Sequence, residues 1–395
     1  MDDKGEVLNE LSKHYSQFKV TERILLTGHS HQAWPDCAFD GITQAWKDAA
    51  ECVDDKWPRA LAKATEVRNG FAALMDDTSG YYSLAANTHD LLICFLSALP
   101  LRQRRRIVTT DSEFHSMRRQ LQRLHEEGLE VVWVPVHPVH TLADRMIEAI
   151  DDNTACVMMS AVFYNSGQIA PDLKLIYNAC QSANIPFLVD VYHALNVVPF
   201  TVKGLESAFI LGGGYKYCQL GEGNCFLRFP KGCEWRPVIT GWLPEFNLLE
   251  GIIDLTASVS YPDNDSRFEG STYDPASHYR AAEVFQFFKR QQLTPDKLRQ
   301  ISQSQVRLIC DEMDKLQLPE TLIHRDREIP LEQIGGFVAY QTSHARELSY
   351  ALKARLIYTD YRGTVLRFGP APYLSDEQIV DAIATLGKVI RENIL

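Results

Sequence analysis

Pro186-Phe187-Leu188-Val189-Asp190-Val191-Tyr192-His193 is an apolar run that ends in an aspartate and then a histidine. A short apolar run without polar alternation marks a strand covered on both faces. Similar runs lie at 81–84, 106–109, 131–134, 155–160, 208–211 and 224–229. Amphipathic stretches fall between the earlier ones, at 88–99, 116–127, 142–150 and 173–183. Strand–helix alternation of this kind predicts a mainly parallel sheet in a three-layer α/β domain. The last third differs, with long helical patterns at 275–290, 295–315, 344–355 and 376–394 and short strands at 336–340 and 365–368. That pattern predicts a smaller α+β lobe. The expected division is a large domain over 41–260 and a small one built from 1–40 with 261–395.

The bulk numbers fit such a chain. Its 395 residues are 45% hydrophobic and 23% charged, enough apolar material for a sizeable core. A formal net charge of −11 leaves no basic excess to displace counterions from phosphates, so neither nucleic acid nor an anionic membrane is an expected partner. The basic cluster Arg102 and Arg104 to Arg106 reads as a solvated loop at a strand entrance. Nine cysteines, irregularly spaced and without a C-x-x-C pair, indicate neither a zinc site nor a disulfide framework. The first residues hold no apolar signal region and no run reaches membrane-spanning length, so a reducing cytoplasm is the expected location.

Asp190, at a strand's carboxyl end, faces the crevice where open α/β sheets bind ligands. A second apolar segment, Leu211-Gly212-Gly213-Gly214-Tyr215-Lys216-Tyr217, runs through glycines into a lysine. One loop and one strand fit between Asp190 and Lys216, so neighbouring strands can bring both to the same rim. Pyridoxal phosphate (PLP) needs this pair: a lysine for its Schiff base and an acid at its pyridine nitrogen, so that the ring draws electrons. A desolvated lysine also has a lowered pKa and can act as a base. The phosphate needs N–H donors at a helix start, which Ala86-Asn87-Thr88 offers, and the ring needs a flat neighbour, which Phe114 offers. Each feature alone has an ordinary reading: Asp190 a cap, Lys216 a turn residue, Phe114 core, Asn87 a helix cap, His193 a satisfied histidine. Their order along the chain is the signal. His29 and His31, without a nearby carboxylate or thiolate, are poor zinc ligands, and no metal is expected.

The chain resembles the fold-type I PLP enzymes of the class V aminotransferase superfamily, and within it the kynureninases. Val189-Asp190-Val191-Tyr192-His193-Ala194 resembles the D-x-x-H-A segment of kynureninases, and Tyr215-Lys216-Tyr217 with Gly221 and Gly223 resembles their Y-K-Y-x-N-x-G-x-G. Glu113-Phe114-His115-Ser116, Tyr164-Asn165-Ser166-Gly167-Gln168, Thr240-Gly241-Trp242, and Asp360-Tyr361-Arg362 through Arg367 to Pro372 are similar to further family motifs. The resemblance implies that Lys216 carries the cofactor, Asp190 contacts its ring nitrogen, His193 orients it and Phe114 stacks on it. It implies that Asn87, Thr88 and Tyr215 hold the phosphate, with Tyr215 also a proton donor. Arg367 would fork the substrate carboxylate, and His29 and His31 would lie in the substrate pocket. Trp242 and Thr272 would reach the phosphate from a partner subunit, which implies a homodimer with shared active sites.

The departures fall where substrate is read. Ala86-Asn87-Thr88-His89 stands in place of L-T-V-N, and Met117 in place of an aspartate. Gly28-His29-Ser30-His31-Gln32 replaces G-N-S-L-G, and Ser271-Thr272 replaces a serine–asparagine pair. The implied activity is hydrolytic Cβ–Cγ cleavage of a kynurenine-type amino acid. The alternatives are a class V aminotransferase or a C–S lyase acting on another amino acid, and a non-catalytic binding protein of the same fold. A cysteine desulfurase is disfavoured, since no cysteine follows Cys310.

Overall fold

The computed structural model describes residues 10–248, 251 and 255–394; the extreme amino-terminal segment read above for a signal region lies outside them. In chain order the elements are β1 (Ile24–Leu25), α1 (Cys37–Cys52), α2 (Trp57–Leu74), β2 (Gly80–Ala85), α3 (Thr88–Ala98), β3 (Arg106–Thr110), α4 (His115–Glu126), β4 (Glu130–Val134), α5 (Leu142–Glu148), β5 (Thr154–Ser160), α6 (Leu173–Ser182), β6 (Phe187–Asp190), β7 (Phe209–Gly213) and β8 (Cys225–Pro230). There follow α7 (Ala276–Arg290), α8 (Pro295–Lys315), β9 (Val338–Gln341), α9 (Ala345–Lys353), β10 (Ile357–Tyr358), β11 (Asp360–Arg362), β12 (Val365–Phe368) and α10 (Asp376–Asn393).

Seven strands form one sheet in the order β2-β8-β7-β6-β5-β3-β4. Only β8 runs against the others. Successive residues explain why the strands read as unbroken apolar runs. Val157, Met159, Phe187 and Val189 pack into one core cluster, while Cys156, Met158 and Leu188 pack into another across the sheet. Both faces are therefore covered, as an α/β sheet requires. The chain is an α/β protein of the fold-type I kind, with a three-stranded sheet β11-β12-β9 in its carboxyl-terminal part. The amino-terminal strand β1 pairs in parallel with β10, and Thr27 bridges Gly369. Helix α1 runs across the domain boundary expected at residue 40. Among the described residues no helix is long and apolar enough to cross a membrane.

The reversed strand β8 carries a fully buried Arg228, whose Nε donates to Asp77 Oδ2 at 2.9 Å. Ser79 Oγ and the Ala208 carbonyl accept its other protons, and Tyr82 donates to the same Asp77 oxygen. Removing one member of a buried pair leaves the other charge uncompensated. Asp77→Ala is expected to lower unfolding stability by about 3–5 kcal/mol, read as a lower midpoint in urea. A change below about 1 kcal/mol, the level of an exposed pair, would show that the network does not hold β8 to the start of β2.

Candidate active site

The sheet brings four separate stretches to one rim. Strand β2 ends at Ala85 and leads into α3, β6 ends at Asp190, β7 leads through Gly214 to Lys216, and β8 begins at Cys225. Asp190 lies opposite Leu211 in the β6–β7 register. These ends enclose a cavity of about 320 Å³, lined among others by Asn87, Thr88, Phe114, Asp190, His193, Tyr215 and Lys216. That size suits a small organic cofactor, since ligand pockets begin at roughly 300 Å³.

Lys216 is 4% exposed. Its Nζ lies 2.7 Å from His193 Nε2, with the faces of Tyr192 and Phe114 at 4.7 and 5.1 Å. Burial pushes its pKa down to about 7, against the pull of Asp190 and helped by Arg367. Burial likewise drives His193 well below its ordinary value, so the imidazole is neutral and Nε2 accepts from the lysine. Asp190 is pushed up by burial and accepts one backbone bond, from Tyr192 N–H to Oδ1 at 2.8 Å.

At the other end of the cavity Asn87 caps α3. Its Oδ1 accepts Asp90 N–H at 3.0 Å and its Nδ2 donates to Asp90 Oδ2 at 2.9 Å. The side chain amide is thus used on the cap, and the first-turn N–H groups of Thr88 and His89 have no intrahelical partner. A helix start of this kind takes a phosphate. The donor set fits PLP: amine and carboxylate on one rim, a flat ring at Phe114, and free N–H groups at the phosphate end.

The remaining expected residues lie outside the cavity wall. Arg367 is buried behind it, with Nη1 donating to the Tyr164 carbonyl at 2.7 Å and Nη2 to Asp360. His29 stacks on Phe337 at 4.5 Å, its Nε2 is 3.4 Å from Asp360 Oδ2, and burial pushes its pKa down to about 3. His31 is exposed and stacks on Tyr215 at 4.9 Å, with Glu222 3.5 Å away. Trp242 and Thr272 do not line the cavity of their own chain. The two segments that carry them run close together, with Leu243 N–H donating to the Gly270 carbonyl at 3.2 Å. Tyr192 and Cys225 also line the cavity without having been expected there, Met117 lines it as its place among the substrate-reading departures implied, and Glu113 is buried beneath it. Among the described residues no group of three or more His, Cys, Asp or Glu side chains could hold a metal.

The aminotransferase class-V family model matches residues 59–359. The kynureninase of Bacillus cereus (strain ATCC 10987 / NRS 248) is 24% identical over 389 residues, covering 95% of this chain and 86% of that protein. Among solved structures, a C-DES mutant with glycine covalently linked to its PLP cofactor superimposes with a TM-score of 0.81 at 17% identity, covering 95% of this chain and 98% of that one. A complex of the cystine C–S lyase C-DES with cysteine persulfide gives a TM-score of 0.79, also at 17% identity, covering 93% and 98%. With the family model spanning most of the sequence and the rim residues in place, the chain belongs to the aminotransferase class-V family, as a kynureninase-like member whose cofactor is pyridoxal phosphate.

Proposed function

We propose that the protein cleaves the Cβ–Cγ bond of a kynurenine-type amino acid hydrolytically. The observation that carries this reading is Lys216, a buried amine with a pKa near 7, sharing one cavity with Asp190 in a chain similar to kynureninase along 95% of its length. PLP, when bound, supplies an electron sink for the substrate's α-carbon. Lys216 would be its attachment point and the base for the α-proton, with His193 accepting a hydrogen bond from the amine. Asp190 would meet the ring nitrogen, Phe114 would cover one ring face, and the start of α3 would hold the phosphate. Tyr215, backed by His31, is the proton donor, and Arg367 takes the substrate carboxylate. Positioning and a desolvated electrostatic setting are what the site contributes.

The active unit in this reading is a homodimer. Trp242 and Thr272, which do not line their own cavity, would complete the site of a second copy. Helix α1 leaves Phe39 and Trp46 67% and 79% exposed, a stripe that a second copy would cover. All nine cysteines are free, which suits a cytoplasmic protein.

A second reading rests on Met117, a buried cavity residue where kynureninases carry an aspartate. It keeps the cofactor and makes the protein a C–S lyase or an aminotransferase. Adding kynurenine, 3-hydroxykynurenine and cystine in turn to the PLP-loaded protein separates the two. Release of alanine with the aryl acid supports the first reading. No product from either kynurenine, with sulfur release from cystine or amino transfer to a keto acid, supports the second.

A further inference from the structure

Glu113 has no part in the chemistry above, yet it is 1% exposed and lies directly before the ring-stacking Phe114. Its carboxyl group is met by three donors. Thr110 Oγ1 donates to Oε1 at 2.6 Å, Ser160 Oγ to Oε2 at 2.6 Å, and Ser160 N–H to Oε1 at 3.2 Å. Among the described residues it has no ion-pair partner within salt-bridge distance. Ser160 ends β5 and is the register partner of Asp190 on β6, and Ala161 N–H donates to the Asp190 carbonyl at 2.8 Å. Two carboxyl groups are thus stacked behind the rim, one facing the cavity and one a strand further in.

Such a stack is costly without a nearby positive charge, because each carboxylate raises the other's proton affinity. Burial pushes Glu113 up to about 7; the Ser160 and Thr110 bonds pull it back, and Asp190 pushes it further up. Asp190 is the charged neighbour that acts on it, and Lys216, past the end of β7, acts on Asp190 in turn. A protonated pyridine nitrogen against Asp190 would supply the missing charge.

We propose that Glu113 is a positioning residue for the cofactor: acting through Asp190, its buried negative charge keeps a proton on the pyridine ring nitrogen. This rests on the reading that PLP lies between Asp190 and Lys216. Glu113→Gln is the informative variant, since Ser160 Oγ can turn to accept from the new amide while the other two donors keep an oxygen.

The readout is the pH midpoint of the visible absorbance of the lysine-linked cofactor, measured on the loaded protein. A ring that has lost its proton withdraws less charge from the linkage, so the midpoint in Glu113→Gln should rise. The expected shift is about one pH unit, the size produced by a unit charge nearby at protein-interior dielectric. Glu113→Asp, which keeps the charge, should return most of it. Loading both proteins with the carbon analogue of PLP, in which C–H replaces the ring nitrogen, should abolish the difference. If Glu113→Gln does not fold, Ser160→Ala weakens the same carboxylate and should move the midpoint the same way by a smaller amount. An unmoved midpoint in a folded variant, or an equal shift with the carbon analogue, overturns the proposal while leaving the cofactor site intact. Wild-type protein without a visible band would instead sink the site assignment and this proposal with it.

Discussion

Lys216→Ala should yield a folded protein that loses the visible absorbance of PLP on gel filtration and turns substrate over at least about 10³-fold more slowly. The amine is buried, its hydrogen-bonding neighbour is His193, and its other close contacts are aromatic faces. Among the described residues no other lysine lines the cavity, so none of them is placed to substitute. Stability should not fall. The wild-type amine is desolvated, its pKa is held near 7, and deleting it removes a group that burial penalises. The pH dependence of cofactor capture follows from the same depression. An amine attacks the aldehyde only when neutral, and here neutrality is reached near pH 7 rather than above 10. The rate at which cofactor-free protein recaptures PLP should therefore climb as pH rises to about 7 and flatten above it. A rate still climbing at pH 9 would mean that Lys216 is solvated, and full activity in Lys216→Ala would remove it from the chemistry.

That site was legible because strand order and chain order coincide along its centre. Asp190 and Lys216 sit at the ends of adjacent parallel strands, so an apolar run ending in an acid followed by one ending in a lysine already described their meeting. Strands 155–160 and 186–190 read correctly because both faces are apolar up to the polar residues Ser160 and Asp190 at their carboxyl ends. Where the signal depended on long-range pairing, it failed. Cys225 reaches the rim only because β8 runs backwards, which no local pattern announces. The extents of helices α1 and α2 were not anticipated. Asp36 and Lys56 make no side-chain cap, a 3₁₀ turn joins the two helices, and the apolar stripe of Phe39 and Trp46 faces outward. Glu113 stood inside a quoted motif, but its meaning comes from Ser160, which is remote in sequence. Asp360 was likewise visible in a motif and given no role, although it organises Arg367.

Arg367→Met should cut kcat/KM for the amino acid by about 30- to 5,000-fold, the range for removing one partner of a desolvated charged pair, and leave cofactor absorbance in place. Most of the loss should appear in KM if the guanidinium grips the carboxylate equally in ground and transition states. The guanidinium is unusually well fixed for that task. It sits 5.4 Å over the Phe337 ring, with the Tyr164 carbonyl on Nη1, Asp360 on Nη2 and no partner at Nε. Asp360 is shared: Arg362 Nη1 donates to Oδ1 at 2.6 Å, and His29 approaches Oδ2. Burial pushes this carboxyl up, but His29, Arg367 and Arg362 outweigh it and hold it well below the usual carboxylate range. Two arginines against one aspartate leave a single positive charge uncompensated, which is what one substrate carboxylate neutralises; His29, neutral through burial, adds none. Arg367→Lys should recover little, because a point charge cannot serve Tyr164, Asp360 and a forked carboxylate together. Arg367→Met also strands Asp360, so the double variant with Asp360→Asn separates binding from stability. If binding is the cause, the double variant regains melting temperature and keeps the raised KM; a KM restored to wild type would show that Arg367 serves the fold and that the carboxylate is read elsewhere.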